Sequence, residues 1–212
     1  MEREQEVLTR YNLTLEQGSS LFLGSVGTGK TTCLEAIARH NKSRVWSHLQ
    51  IMSLYQSEGT KATDIILKSS PHLFCDDLLP ETVSHYGQAL GIPYETLIIA
   101  KLNELDLAEI ELRTAQKKLN ELDRVWEENK YEGSPLHPIT AWCSARESYE
   151  MHRQWLMEIW ETHKAKATRK CIITANTNLA ELKENFSIRF IDRVRSRMQV
   201  VEFIGKSMRQ TK

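Results

Sequence analysis

Gly24-Ser25-Val26-Gly27-Thr28-Gly29-Lys30-Thr31-Thr32 follows a compact apolar run, Ser19–Gly24, and opens onto Thr31–His40, where Cys33, Leu34, Ile37 and Ala38 recur at helical spacing. Its first eight residues fit G-x-x-x-x-G-K-[ST] completely, in the strand–loop–helix context that this pattern requires. Glycines let the backbone wrap a phosphate with no Cβ in the way, so that several N–H groups point inward. The helix N-terminus adds a positive partial charge. The stretch therefore predicts a P-loop that binds a nucleoside triphosphate through Gly24–Thr32. Lys30 is expected to reach the β- and γ-phosphates, and the Thr31 hydroxyl to join a Mg²⁺ shell. Without phosphate, Lys30 is expected to be solvated.

A P-loop needs an acidic element to hold the magnesium. Leu73-Phe74-Cys75-Asp76-Asp77 supplies an apolar strand ending on two acids. Asp76 is the candidate Mg²⁺ ligand through water, and Asp77 the candidate general base for the attacking water. A strand-end acid pair that caps the next segment is the alternative. Asp64 and Glu81 end no apolar strand and are weaker candidates. Ile172-Ile173-Thr174-Ala175-Asn176 is a second buried strand ending on a polar residue, and Asn176 is either a water-positioning group or a turn residue. Arg189, Arg193, Arg195 and Arg197 then fall within nine residues, as a phosphate-sensing cluster or as a solvated helix face.

Outside these motifs, Val45–Ile51 and Val200–Ile204 read as strands and Thr60–Ser69 as a short helix, while residues 1–18 form a polar lead-in with a helical turn near Gln5–Tyr11. Strands alternating with helices predict an α/β fold, a parallel sheet covered by helices, over residues 19–212. Residues 94–132 depart from that alternation. Ile98, Leu105, Leu112, Leu119 and Trp126 recur every seven residues without Gly or Pro, which predicts one long helix or two joined by a tight turn. Such an element packs on the domain by one stripe or protrudes as a coiled coil. Its 10 acids against 6 bases over residues 95–132 argue against DNA contact there, so it is expected to bind a partner protein and to be removable as residues 97–130. Gly133-Ser134-Pro135 with Pro138 forms a loop, and Ser144–Lys164 returns to helix.

The chain has 212 residues, enough for a sizeable core, with 41% hydrophobic and 26% charged residues, which excludes collagen-like and wholly disordered classes. No apolar run approaches a membrane span, and Met1–Glu6 lacks the apolar stretch of a signal peptide, so a cytoplasmic protein without a membrane partner is expected. Four cysteines at wide spacing suggest neither zinc nor disulfides. The zero net charge hides an asymmetry. Residues 164–212 hold 12 Lys+Arg and 4 Asp+Glu, a balance of 12 − 4 = +8, and residues 1–163 carry 16 − 24 = −8. The basic quarter suits nucleic acid, nucleotide phosphate or an acidic subunit, or is simply solvated.

The order GSVGTGKTT (24–32), LFCDDLLPETVSHYG (73–87), CIITANTNLAEL (171–182) and IDRVRSRMQVVEFIGKSMR (191–209) resembles the DnaC/IstB-like branch of AAA+ ATPases, the helicase-loader and transposition-helper proteins. There the acidic strand reads roughly hhhhDDLG, the next hhTSN, and a D-R-L segment precedes a strand ending G-x-S-x-R. Asp192-Arg193-Val194 and Gly205-Lys206-Ser207-Met208-Arg209 match the last two. The resemblance implies an AAA+ ATPase using ATP and Mg²⁺, with Asn176 positioning water, Arg193 as an arginine finger acting on a neighbouring subunit's nucleotide, and Arg209 as a second γ-phosphate-sensing arginine. Arg195 and Arg197 are the fallback fingers. It also implies a homo-oligomer that works with DNA, single-stranded in the first instance, and with a replicative helicase or a transposase. Leu79 replaces the usual Gly after the acid pair. The P-loop opens at residue 24, leaving no room before it for the region by which loaders grip a helicase; either that region is absent or the 94–132 insertion takes its role. A P-loop small-molecule kinase, with arginines early after the P-loop, and a non-hydrolysing adaptor are the competing classes.

Overall fold

Short apolar strands alternating with helices build the parallel sheet expected above. The computed structural model describes residues 2–78, 94–130 and 139–205; Leu79, Glu81, the Gly133–Pro138 loop and Arg209 lie outside them. Elements run α1 (Glu2–Arg10), β1 (Ser20–Gly24), α2 (Lys30–His40), β2 (Val45–Ser47), α3 (His48–Glu58), α4 (Lys61–Ser69), β3 (Leu73–Leu78), α5 (Tyr94–Lys130), α6 (Ile139–Ala167), β4 (Cys171–Ala175), α7 (Leu179–Asn185), α8 (Ile188–Arg197) and β5 (Gln199–Phe203). The chain divides into two compact units, Met1–Asn103 with Lys170–Lys212, and Glu104–Arg169.

The first unit holds an all-parallel sheet in the order β2-β3-β4-β1-β5. β4 is buried along its whole length and β1 nearly so, as central parallel strands must be. The edges are blunted: β2 has three residues, and β5 exposes Gln199 and Glu202. Phe22, Phe74, Leu34, Ile37, Ile172 and Phe203 pack into one core cluster. Each such side chain contributes roughly 1.5–3 kcal/mol on burial. Val7, Leu8 and Leu13 belong to that cluster, so the expected polar lead-in is a helix whose apolar side is core.

The expected strand over Val45–Ile51 stops at Ser47. Ser47 and Gln50 form a capping box, each side chain taking the other's backbone N–H, and this starts α3 at His48. The long helix is single and begins inside the first unit, where Tyr94, Leu97, Ile98 and Leu102 are buried. Lys101 is buried there too, its Nζ donating to the Pro71 carbonyl at 2.8 Å. A cut at residue 97 would therefore remove core.

In the second unit, the remainder of α5 runs antiparallel to α6. Glu104 pairs with Arg169, while further along Asp123 accepts from Tyr149 Oη at 2.8 Å and Arg153 Nε at 3.0 Å. Leu105, Ala108, Ala115 and Leu119 are buried with Leu156, and Trp126 stacks on Tyr149 at 4.5 Å. No helix among the described residues is long and apolar enough to cross a membrane.

Candidate active site

At the carboxyl edge of the sheet, the chain from β1 to α2 wraps a small cavity. Gly24 sits at φ 142°, and a Cβ there would lie 2.4 Å from the Phe203 carbonyl oxygen of β5, so only glycine fits. Gly29, at φ 102°, turns the loop into α2 and leaves the helix N-terminus without a side-chain cap. Thr28 is buried and its hydroxyl donates to the Ser25 carbonyl at 2.9 Å, closing the loop on itself. Ser25 and Val26 are exposed at the loop tip. From behind, Tyr11 packs on Phe203 with ring centroids 4.0 Å apart, and its hydroxyl lies 3.3 Å from the Thr28 and Ile204 carbonyls.

Lys30 is not solvated. It is buried, and its Nζ donates to the Gly24 and Ser25 carbonyls at 2.8 Å each. The loop that would wrap a phosphate thus wraps an ammonium, whose three donors need acceptors when buried. Burial pushes its pKa down, while Asp77 and Asp76 pull it back up.

The acids stand beside it. Asp76 Oδ1 accepts from Thr31 Oγ1 at 3.0 Å and from Thr174 Oγ1 at 2.7 Å. The same Thr174 hydroxyl accepts from the Asp77 backbone N–H at 2.9 Å. Register between β3 and β4 shifts between Cys75 and Leu78, and Asp77 occupies that irregularity at φ 54°, a left-handed conformation that Asp tolerates better than most residues. Asn176 Nδ2 donates to Asp77 Oδ1 at 2.7 Å, and the neighbouring Thr177 carbonyl accepts from Gly24 N–H at 3.0 Å. One chain of contacts thus joins P-loop, acid pair and Asn176. Val26, Gly27, Gly29, Lys30, Thr31, Thr32, Asp77 and Asn176 line a cavity of about 90 Å³, room for a phosphate-sized group.

The donor set suits a hard cation that keeps part of its own shell. One hydroxyl and one carboxylate oxygen converge at Thr31 and Asp76, and among the described residues no cluster of three His, Cys, Asp or Glu offers a complete protein cage. Mg²⁺ is commonly held in this way, by few protein oxygens with waters and phosphate oxygens completing the octahedron.

Arginines are placed differently. Among the described residues none lines this cavity. Arg193 is half-buried on α8, and its Nη2 donates to Asn103 Oδ1 at 2.7 Å; Arg189, Arg195 and Arg197 are exposed. The sequence reading missed two residues, Thr174 and Tyr11. A hydroxyl inside a fully buried strand must find a partner, and that was the available signal for Thr174. Tyr11 carries no local signal, because its partners are 17 and 193 residues away.

No protein-family model and no curated protein sequence matches the chain. Among solved structures, domain III of the Thermotoga maritima replication initiation protein DnaA is similar at 13% identity and TM-score 0.43, over 94% of this chain and 60% of that one. A replication initiator DnaA bound to AMPPCP and single-stranded DNA is similar at 17% identity and TM-score 0.41, over 97% of this chain and 45% of that one. The chain spans about half the length of these two structures.

Proposed function

We propose that the chain binds ATP with Mg²⁺ at Gly24–Thr32 and hydrolyses it, as an AAA+ switch of the helicase-loader kind in DNA replication. The observation that carries this reading is the continuous set of contacts from Thr31 through Asp76 and Thr174 to Asp77 and Asn176. Bare phosphate binding needs only the loop. Holding a second acid in a left-handed conformation, with an amide on its carboxylate, suits positioning and deprotonating a water. In this reading the loop N–H groups and Lys30 bind the phosphates, Thr31 directly and Asp76 through water hold Mg²⁺, Asp77 takes the proton, and Asn176 orients the water. Bound Mg²⁺ supplies charge neutralisation at the phosphate oxygens. Arg193 and Arg209 are the proposed phosphate-sensing arginines, Arg193 acting in a homo-oligomer on a neighbour's nucleotide. DNA and a replicative helicase are the proposed partners.

A P-loop adaptor is the second reading, favoured by the separate helical unit, which exposes Trp155, Met151, Leu107 and Ile110. Calorimetry with Mg·ATP on wild type and Lys30→Ala tests the nucleotide site. Charge-assisted contacts to phosphate are worth roughly 1.5–3 kcal/mol each, so the variant should bind ATP about ten- to a hundredfold more weakly. Equal affinities would remove the site.

A further inference from the structure

Glu95 and Asn103, about two helical turns apart on α5, bond to the start and the middle of the helix that carries Arg193, and Ile99 between them lines a groove with Ile188, Asp192 and Arg193. Glu95 accepts from the Ser187 backbone N–H at 2.7 Å and from Ser187 Oγ at 2.6 Å. Ser187 is the N-cap of α8, its Oγ in turn accepting from Phe190 N–H at 3.2 Å, so Glu95 adds a negative charge where the helix dipole favours one. Six residues later, Arg193 Nη2 donates to Asn103 Oδ1 at 2.7 Å. Phe190, Ile191 and Val194 are buried on α8, so the helix is fixed from its apolar side as well.

We infer that Asn103 is a positioning residue for Arg193, with Glu95 fixing the helix beneath it; this rests on the reading of Arg193 as the arginine that completes a neighbour's site. An amide suits the task. Its oxygen orients the guanidinium without neutralising it, and an anionic phosphoryl group, which brings opposite charge and can take two parallel N–H bonds, displaces it when the neighbour's nucleotide arrives. A carboxylate at 103 holds the arginine as an ion pair and competes with the phosphate. Asn103 is exposed, so this change does not disturb the core.

The test is Asn103→Asp, Arg193→Ala and the double variant in the 212-residue chain, assayed for Mg·ATP turnover at saturation and for ATP affinity by calorimetry. Asn103→Asp should turn over about fivefold more slowly, the scale of an exposed ion pair, at unchanged ATP affinity. In the Arg193→Ala background, already slow, it should have no further effect. Asn103→Asp at the wild-type rate, or an equal fall with and without Arg193, overturns the positioning role while leaving the arginine reading intact. Wild-type turnover by Arg193→Ala alone defeats the arginine reading, and this inference with it.

Discussion

Thr174 shows how much one hydroxyl carries. It accepts from the Asp77 N–H and donates to Asp76, so both acids take their geometry from it. Thr174→Val keeps the shape, removes both bonds and leaves a buried donor unpaired, which costs about 1–3 kcal/mol. The expected outcome is a lower melting temperature and a larger fall in Mg²⁺-dependent turnover than in ATP affinity; unchanged turnover would show that the acids hold their places without it. The glycine-rich loop and the acid pair stood out in the sequence because each is a contiguous run, and the structure brings the two together at Thr31 and Asp76. Thr174 carries a weaker signal, because a β-branched residue inside an apolar strand also reads as filler even though its buried hydroxyl needs a partner. The burial of Lys30 was illegible, since its acceptors are backbone carbonyls that every sequence possesses.

The same limit operates on elements. Ser47-His48-Leu49-Gln50 has the capping-box spacing, yet it sits among Val45, Trp46 and Ile51, whose β-branched and aromatic character also suits a strand. The heptad from Ile98 to Trp126 is compatible with one long helix or two joined by a turn, and the structure has one; the period is constant while the packing changes. Ile98 and Leu102 serve the sheet unit, whereas Leu105 and Leu119 lie in the helical one. Periodicity reports that a face is buried without reporting against what. The division into units points to Glu104–Arg169, rather than residues 97–130, as the segment to remove, because Leu97, Ile98 and Leu102 are buried in the sheet unit. Replacing Glu104–Arg169 by a short Gly-Ser linker should leave a folded protein by circular dichroism, with ATP affinity within about twofold of wild type, since no residue lining the cavity belongs to the segment removed. An unfolded product would make the helical unit part of the folding core.

Across the sheet unit, strand order brings the motifs together. β4 stands between β1 and β3, so Asn176 at its carboxyl end falls between the P-loop and the acid pair, and ligands of open parallel sheets gather at that edge. What the cavity lacks among the described residues is an arginine. If Arg193 is supplied by a neighbour, turnover per chain should rise with protein concentration, and mixing Arg193→Ala with Lys30→Ala should restore activity, one giving the P-loop and the other the arginine. Concentration-independent turnover without rescue would leave Arg193 a local structural residue. The central claim is hydrolysis at this site by the acid that Asn176 and Thr174 hold. It is tested most directly by Mg·ATP turnover of wild type against Asp77→Asn, at matched nucleotide saturation. The account predicts that Asp77→Asn binds ATP normally and hydrolyses it at least about a hundredfold more slowly, the scale of losing a general base; turnover at the wild-type rate would contradict it.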